Sequence, residues 1–336
     1  MKALAVTGEV VVAGGGSTRH RSRAGAAVLT DGSLFVAYRV GRNMFEESHG
    51  AVVATRSADG GATWDEPTPV LAEPGWDWFG AQRLLQLGDG TLLMLAGKAR
   101  WNSGRFHTCA IRSSDGGRTW DPPGPEIRVF AAFSEPYGQG VVHGLPDGRL
   151  LLGFQGTDTP GESNLAAIAF SRDRGDSWSE RVLLSHDATL ELREPDTLAL
   201  ADGRLLTVLR SDAPPYASYQ SCSEDGGRSW TPLAATGFHG HCPRLAALRR
   251  AIICVYRDMR EGRPGIGFSA SWDEGESWHD QGLLYRSPGP FQGWATACGY
   301  PSVLRLPDGD LLCVFHTDFV DEDCEIRAVR LREVNG

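Results

Sequence analysis

The sequence predicts an all-β protein built as a six-bladed β-propeller. Two repeated patterns support this prediction: an eight-residue turn motif that occurs five times, and an Asp-Gly hairpin motif that occurs six times if one degenerate copy is included. Successive turn motifs begin 48 to 58 residues apart, and a period near 50 residues is typical of propeller blades. We therefore expect residues 1–336 to form one propeller domain.

The turn motif, here called the Asp box, has the pattern S-x-D-x-G-x-[ST]-W. Its copies span residues 57–64, 113–120, 171–178, 223–230 and 271–278. The aspartate can accept hydrogen bonds from backbone N–H groups of the turn, and the glycine can adopt a left-handed conformation. The tryptophan can pack against neighbouring strands. We interpret all of these residues as structural.

The hairpin motif consists of an apolar stretch, a DG pair and a Leu-rich stretch, which is typical of two strands joined by a tight turn. Its copies span residues 30–39, 88–97, 146–155, 201–210 and 307–316, and residues 248–257 form a copy that has lost the DG pair. Each blade then contains two hairpin strands, a third strand, an Asp box and a fourth strand. The last blade lacks a box. We expect its third strand at 324–331 and its fourth at 9–13, which would close the ring.

The composition of the chain narrows the classes of partner. The formal net charge is −9, whereas surfaces that bind nucleic acid are usually basic, so no nucleic-acid partner is expected. Residues 1–16 contain no apolar run long enough for a signal peptide or a membrane span, which predicts a cytoplasmic protein with no membrane partner. The seven cysteines show no paired spacing and are expected to be reduced thiols.

One short segment, residues 238–243, has the composition of a metal site. It brings His239, His241 and Cys242 close together along the chain, and these are residue types that bind zinc. No second ligand cluster at a recognisable spacing accompanies it. We therefore predict no metal and expect His241 to line a pocket instead.

Equivalent positions of the six hairpins are predicted to form a ring, because the first hairpin strand of each blade lies innermost. Eight residues before the DG aspartate, or before Arg249 in the degenerate copy, stand Arg23, Ala81, Gln139, Glu194, His241 and Tyr300. Eight residues after it stand Arg39, Gly97, Gln155, Arg210, Arg257 and His316. Converging polar groups are typical of a functional site. The alternative is a hydrated channel mouth whose residues satisfy one another.

The Asp boxes, the six-fold repeat and these ring positions together resemble the sialidase (neuraminidase) superfamily over nearly the whole chain. The resemblance implies three arginines that bind a substrate carboxylate. Arg23, in RAGAAVLTDG, matches the first, and Arg210, in EPDTLALADGRLLTVLR, matches the second. Arg263, in RPGIGFSAS, matches the third, with Arg257 as the second choice.

The resemblance also implies a tyrosine nucleophile and a carboxylate base. Tyr300, in YPSVLRLPDG, matches the nucleophile, and Glu194 becomes its base. A neutral tyrosine suits a sugar whose anomeric carbon carries a carboxylate, because a carboxylate nucleophile would be repelled. Its pKa near ~10 requires an adjacent base. Sialidases are a known tyrosine exception among glycosidases, and no cofactor is implied.

The acid/base of the family is an aspartate in the loop after the first hairpin. The corresponding loop of this chain, residues 39–50, contains no aspartate. Glu47 matches best by spacing, followed by Glu46, and a glutamate can protonate a leaving oxygen from slightly further back. His49 is another candidate in the same loop. The alternative interpretation is a solvated acidic loop.

Further substrate contacts are predicted around the ring and in the loops ahead of it. The ring supplies Arg39, Gln139 and His241. The loops supply the aromatic residues Trp78 and Phe291, for which packing between blades is the alternative. They also supply the polar residues Arg105 and His107, for which a solvent-facing loop is the alternative.

These features predict a retaining exo-glycosidase that acts on α-linked sialic acid or a related carboxylated sugar. A lyase or hydrolase of uronate-containing glycans on the same scaffold is the first alternative, because a lyase does not need the missing aspartate. A non-catalytic glycan-binding propeller is the second alternative. Binding of a carboxylate would require neither Glu194 nor Tyr300, so the presence of both residues argues against this second alternative.

Overall fold

The computed structural model describes residues 2–14, 20–42, 49–135, 142–258, 260–288, 298–317 and 324–335. Within these ranges the chain is mostly β-strand, with two short 3-10 turns at Trp101–Ser103 and Ala188–Leu190 and no α-helix. The strands form six antiparallel sheets, which confirms the predicted six-bladed propeller. No helix in these ranges is long and apolar enough to span a membrane.

The strands follow one another blade by blade, after an initial strand β1 (Lys2–Ala13). The first blade contains β2 (His20–Val28), β3 (Leu34–Gly41), β4 (Ala51–Ser57) and β5 (Thr68–Leu71). The second contains β6 (Asp77–Gln86), β7 (Leu92–Arg100) and β8 (Arg105–Ser113). The third contains β9 (Phe133–Glu135), β10 (His143–Gly144), β11 (Leu150–Thr157), β12 (Leu165–Ser171) and β13 (Ser179–Leu183).

The second half of the chain repeats this arrangement. The fourth blade contains β14 (Leu192–Ala199), β15 (Leu205–Ser211), β16 (Ser218–Ser223) and β17 (Ala234–Ala235). The fifth contains β18 (Gly240–Ala247), β19 (Ile252–Asp258), β20 (Gly265–Ser271) and β21 (His279–Arg286). The sixth contains β22 (Gly299–Arg305), β23 (Leu311–His316) and β24 (Ile326–Asn335). The innermost strands of neighbouring blades contact one another, as between β14 and β18 or β22 and β2.

The sixth blade is closed by the other end of the chain, as predicted. Its strand order is β22-β23-β24-β1, and β1 pairs antiparallel with β24 through Val6 opposite Leu331 and Val10 opposite Ala328. The closing strand is longer than the predicted residues 9–13. This pairing joins the two ends of the chain in one sheet, so the ring has no open blade edge at that point.

The Asp boxes are rigid hydrogen-bonded turns. In the first box, Ser57 Oγ donates to Asp59 Oδ1 at 2.8 Å and accepts from the N–H of Gly61 at 2.8 Å. The N–H and hydroxyl of Thr63 donate to the two oxygens of Asp59, at 2.9 and 2.6 Å. These hydrogen bonds lower the pKa of Asp59 to about 2, and those from Thr63 have the largest effect. The prediction that the box residues are structural is confirmed.

The glycine of each box also lies against the preceding blade. A Cβ built on Gly117, which has φ +88°, would approach Phe35 of the first blade to 2.4 Å. A Cβ on Gly275 would approach Leu206 of the fourth blade to 2.8 Å. Glycine is therefore required both by the turn conformation and by the close packing of successive blades.

Candidate active site

Five innermost strands contain a bulge at the same level of the propeller. There, two consecutive residues lie opposite one residue of the second strand. In four of these bulges the first residue has a left-handed backbone: Arg23 (φ 55°), Glu194 (φ 55°), Cys242 (φ 55°) and Tyr300 (φ 50°). Bulges redirect side chains, and left-handed backbone at non-glycine residues is concentrated at functional sites. The shared bulge therefore directs one set of side chains toward a common site.

The fifth-blade residue at this position is Cys242, where the ring count had placed His241. The connection between β18 and β19 contains four residues, Leu248 to Ala251, whereas the connection between β2 and β3 contains five. The turn without the DG pair is one residue shorter, so counting back eight residues from Arg249 went one residue too far. The shortened turn was the signal in the sequence that would have identified Cys242.

Tyr300 lies in a cationic and aromatic environment. The guanidinium carbons of Arg23 and Arg257 lie 5.4 and 5.3 Å from the centre of its ring. The ring of His316 stacks on it at 5.6 Å, and Cys242 packs against it. Burial raises the pKa of Tyr300, with further contributions from Cys242 and Glu194 that the two arginines oppose. The hydroxyl therefore stays protonated until a base removes its proton.

Two arginines in this environment are fixed by contacts with the next blade. Arg23 Nη1 donates to the carbonyl of Phe79 in the second blade at 3.2 Å. Arg257 Nε donates to the carbonyl of Cys298, which leads into the sixth blade, at 2.7 Å. Both side chains are buried. Their positions are set by the scaffold, which is what preorganised binding of an anion requires.

Glu194 forms a two-bonded ion pair with Arg210. Arg210 Nε and Nη2 donate to Glu194 Oε2 and Oε1, at 2.6 and 3.3 Å. The N–H of Cys242 donates to Oε2 at 2.9 Å, and the N–H of Glu194 donates to Gln155 Oε1 at 2.8 Å. Burial opposes the charge of Glu194, but Arg210 outweighs it, with help from Arg257, and holds the pKa below its usual range. Glu194 is thus ionised at neutral pH and linked to the blades on both sides.

His241 lies beside this ion pair. Its Nδ1 is 3.2 Å from Arg210 Nη1, and Asp212 forms an ion pair with the same arginine. Burial, followed by Arg210 and Arg257, keeps the pKa of His241 far below its usual value. A neutral imidazole therefore lines this side of the site, and Asp212 is a site residue that the repeat count did not reveal.

Arg39 and Arg263 are held by carboxylates. Arg39 Nε pairs with Asp77 at 2.8 Å, and both side chains are 0% exposed. Arg263 pairs with Asp280 at 2.6 Å and with Asp258 at 3.4 Å. These contacts direct Arg263 toward the outer strand β21, whereas Arg257 lies against Tyr300. Of the two residues considered for the third arginine, the structure brings only Arg257 to the nucleophile candidate.

The remaining predicted residues differ in burial, and some lie outside the described ranges. Trp78 is 1% exposed, so its ring packs inside the protein. His107 Nδ1 lies 3.6 Å from Glu126 Oε2, whereas His49 and Arg105 are exposed. Glu46, Glu47, Gln139 and Phe291 lie outside the described residues.

The described part of the chain contains no group of three or more His, Cys, Asp or Glu side chains placed to hold a metal ion. All seven cysteines are free thiols. What the site combines is a protonated tyrosine, an ionised glutamate and buried arginines. This arrangement can bind an anion and remove a proton from a hydroxyl.

Comparison with known proteins identifies a family and one curated relative. Residues 91–313 match the BNR repeat-like domain family. A sialidase from Micromonospora viridifaciens is 28% identical over 325 residues, an alignment that covers 84% of this chain and 47% of the relative. The chain therefore spans about half the length of the curated relative that it matches.

Three solved structures share the fold. A protein of unknown function from Dyadobacter fermentans superimposes with a TM-score of 0.82 at 19% identity, covering 98% of this chain and 99% of the other. A mutant of the NanB sialidase from Streptococcus pneumoniae gives 0.72 at 12% identity, covering 97% and 70%. The Trypanosoma rangeli sialidase with the inhibitor DANA gives 0.66 at 16% identity, covering 92% and 54%. At these identities the similarity shows the fold alone.

Proposed function

The chain belongs to the BNR repeat-like domain family, and on that premise we propose that it is a retaining exo-glycosidase. Its substrate is a glycan that ends in α-linked sialic acid or a closely related carboxylated sugar. The sialidase named among its relatives supports the reaction class. The observation that carries the proposal is the shared bulge, which directs Arg23, Glu194 and Tyr300 from three different blades with the same left-handed backbone.

The substrate carboxylate would be bound by Arg23, Arg210 and Arg257. Arg23 and Arg257 both lie within 5.4 Å of the Tyr300 ring centre, so a carboxylate between them would place the adjacent anomeric carbon near the phenol. Arg210 is the partner of Glu194. Guanidinium groups bind carboxylates through two parallel hydrogen bonds, which fixes orientation as well as position. We assign the third position to Arg257 because its guanidinium lies against Tyr300, whereas the ion pairs of Arg263 direct it toward β21.

In the first chemical step, Tyr300 would attack the anomeric carbon and transfer its phenolic proton to Glu194. The glycosidic C–O bond breaks, and its electron pair remains on the leaving oxygen, which takes a proton from the general acid. In the second step, water attacks the anomeric carbon and gives a proton to the deprotonated acid. The phenolate leaves and recovers its proton from Glu194. Two displacements retain the anomeric configuration.

Glu47 remains the proposed general acid, on the spacing of the sequence. The described residues contribute the end of its loop: the N–H of Trp78 donates to the carbonyl of Gly50 at 3.0 Å. A Cβ on Gly50 would overlap Asp77 Oδ1. The described end of this loop is thus held next to the buried Arg39–Asp77 pair.

Hydrolysis of a fluorogenic α-sialoside by wild type and by Tyr300→Phe tests the proposal. We expect release of the fluorophore by wild type and none by Tyr300→Phe. Tyr219→Phe, on the third strand of the fourth blade, is the matched control and should retain activity. No release by wild type, or equal release by Tyr300→Phe, would overturn the proposed function. An unsaturated product absorbing in the ultraviolet would indicate a lyase instead.

A further inference from the structure

Tyr216 is an exposed aromatic residue beside the site that the proposed mechanism does not use. Its side chain is 42% exposed, and the other exposed large hydrophobic residues in the described ranges, Val6 and Val11, lie on β1 at the outer edge of the sixth blade. Tyr216 lies in the turn between β15 and β16, and Arg210 is the penultimate residue of β15. This turn is at the same end of the propeller as Glu194 and Tyr300.

The ring of Tyr216 is in direct contact with the site. Its centroid lies 6.2 Å from that of His241, in an edge-to-face arrangement with an interplanar angle of 72°. His241 in turn lies 3.2 Å from Arg210 Nη1. Two residues, His241 and Arg210, therefore link this exposed ring to Glu194. The ring stands at the rim, whereas Glu194 and Tyr300 are buried.

The turn that carries Tyr216 is held in place from both sides. Within the turn, the N–H of Tyr216 donates to the carbonyl of Ala213 at 2.9 Å, and the N–H of Ser211 donates to the carbonyl of Ala217 at 3.0 Å. From the fifth blade, His239 Nδ1 lies 2.8 Å from the carbonyl of Pro215. A ring presented on a fixed turn loses little conformational entropy when it binds a ligand.

The backbone of Tyr216 is unusual for its type. Its φ is +63°, in the left-handed region where glycine and asparagine are favoured and a bulky residue is an outlier. The side chain is not buried, and its hydroxyl forms no hydrogen bond to another described residue. These two usual reasons for an aromatic side chain therefore do not apply at this position. An aromatic residue at this position is thus poorly explained by stability and better explained by what its exposed face contacts.

We infer that Tyr216 forms a stacking platform for the sugar ring on the leaving-group side of the substrate. A pyranose presents an apolar C–H face that packs on an aromatic ring, and the tyrosine hydroxyl adds a polar group at the edge. The acidic sugar belongs in the buried pocket around Tyr300, so the ring at the rim faces the next unit outward. This inference rests on the proposed function and extends it to substrate choice: glycans are preferred over simple glycosides.

Binding measurements in the Tyr300→Phe background test the platform without turnover. The ligands are methyl α-sialoside, which has no ring on the leaving-group side, and a sialyl-lactoside, which has one. Tyr216→Asn should weaken binding of the sialyl-lactoside by about tenfold and leave the methyl sialoside within twofold. Asparagine tolerates left-handed backbone, so the turn is retained. Tyr216→Phe keeps the stacking face and should retain most of the affinity, and Val11→Ala is the control for loss of exposed apolar surface elsewhere.

The outcomes separate the two proposals. If both ligands bind and Tyr216→Asn affects them equally or not at all, the platform is overturned and the proposed function stands. If neither ligand binds, the proposed function is overturned and the platform with it. A selective loss of sialyl-lactoside affinity supports both.

Discussion

The guanidinium carbon of Arg257 lies 5.3 Å from the ring centre of Tyr300. The same side chain is fixed by a hydrogen bond to Cys298, two residues before the tyrosine. A cation in this position can hold a carboxylate next to the phenol oxygen of Tyr300. It also opposes the effect of burial on the phenol. In the proposed mechanism, Arg257 would therefore connect recognition of the carboxylate with attack by the tyrosine.

Replacement of Arg257 should lower the activity far more than replacement of Arg263. We expect Arg257→Ala to lower kcat/KM for a fluorogenic α-sialoside by about 100- to 1000-fold, because a preorganised charge contact is worth about 3–4 kcal/mol. Arg263→Ala should stay within a few-fold of wild type, since its partners are Asp258 and Asp280. Comparable losses in both variants would contradict the assignment. Thermal unfolding of both proteins distinguishes lost chemistry from lost stability.

The pH dependence of hydrolysis should report the ionisation of Glu194. Arg210 outweighs burial and holds the pKa of this carboxyl below its usual range, so the base is ionised above that depressed value. We expect the acid limb of kcat/KM that belongs to the base to lie below the ordinary glutamate range near pH ~4.3. Glu194→Gln should lose about 10²–10⁴-fold in rate, and that limb should disappear. An unchanged acid limb in the variant would exclude Glu194 as the base.

The stability of the fold should fall in mild acid because of a buried neutral histidine. Burial, followed by Arg39 and Arg23, lowers the pKa of His20 to about 3. The unfolded chain binds a proton near pH ~6.5, so between these values the unfolded state holds more protons. The stability that depends on neutral His20 is fully present above the pKa of the unfolded state. It is lost as the pH falls toward the pKa of the folded state. At pH ~4.5 this histidine lowers the free energy of unfolding by about 2–3 kcal/mol relative to neutral pH.

Chemical denaturation at neutral pH and in mild acid measures that loss. His20→Leu should show a smaller decrease in unfolding free energy than wild type, by about 2 kcal/mol. His186→Leu, at an exposed position, is the matched control and should follow the wild type. Equal decreases in wild type and His20→Leu would show that this histidine does not couple folding to pH.

Comparison of an Asp-box glycine with a hairpin-turn glycine separates the effect of the turn conformation from that of blade packing. Gly117 and Gly90 both have φ +88°, but a Cβ would approach Phe35 to 2.4 Å at Gly117 and would have no neighbour within 4 Å at Gly90. We expect Gly90→Ala to cost about 1–2 kcal/mol for the left-handed backbone. Gly117→Ala should cost a further ~1–3 kcal/mol for overpacking. Equal losses of unfolding free energy would show that the blade contact is unimportant.

Repetition made the fold predictable from the sequence. Five Asp boxes and the DG hairpins fix the strand order of every blade, and the shortage of strands in the last blade required β1 to close it. The same repetition located Arg23, Glu194, Arg210 and Tyr300, because equivalent positions in a propeller converge. Local sequence chemistry and the global arrangement agree at these positions.

Counting residues from the DG pair of each hairpin was less informative where the repeat changes. One residue lost from the fifth hairpin turn moved the ring position from His241 to Cys242. The ion pairs that direct Arg263 outward join residues from separate strands and a turn, and no repeat rule contains them. The position of Tyr216 depends on how its turn folds back against His239. Such contacts between non-equivalent residues can be found only from the three-dimensional structure.

Trapping of the glycosyl-enzyme tests the central claim most directly. A sialosyl fluoride that carries a second fluorine at C3 transfers its sugar to the nucleophile and then hydrolyses slowly, because the added fluorine disfavours positive charge at the anomeric carbon. After brief incubation and proteolysis, mass spectrometry should find one sugar attached to the peptide that contains Tyr300. An active enzyme that carries the sugar on another residue would contradict the account, as would steady release of sugar with no adduct.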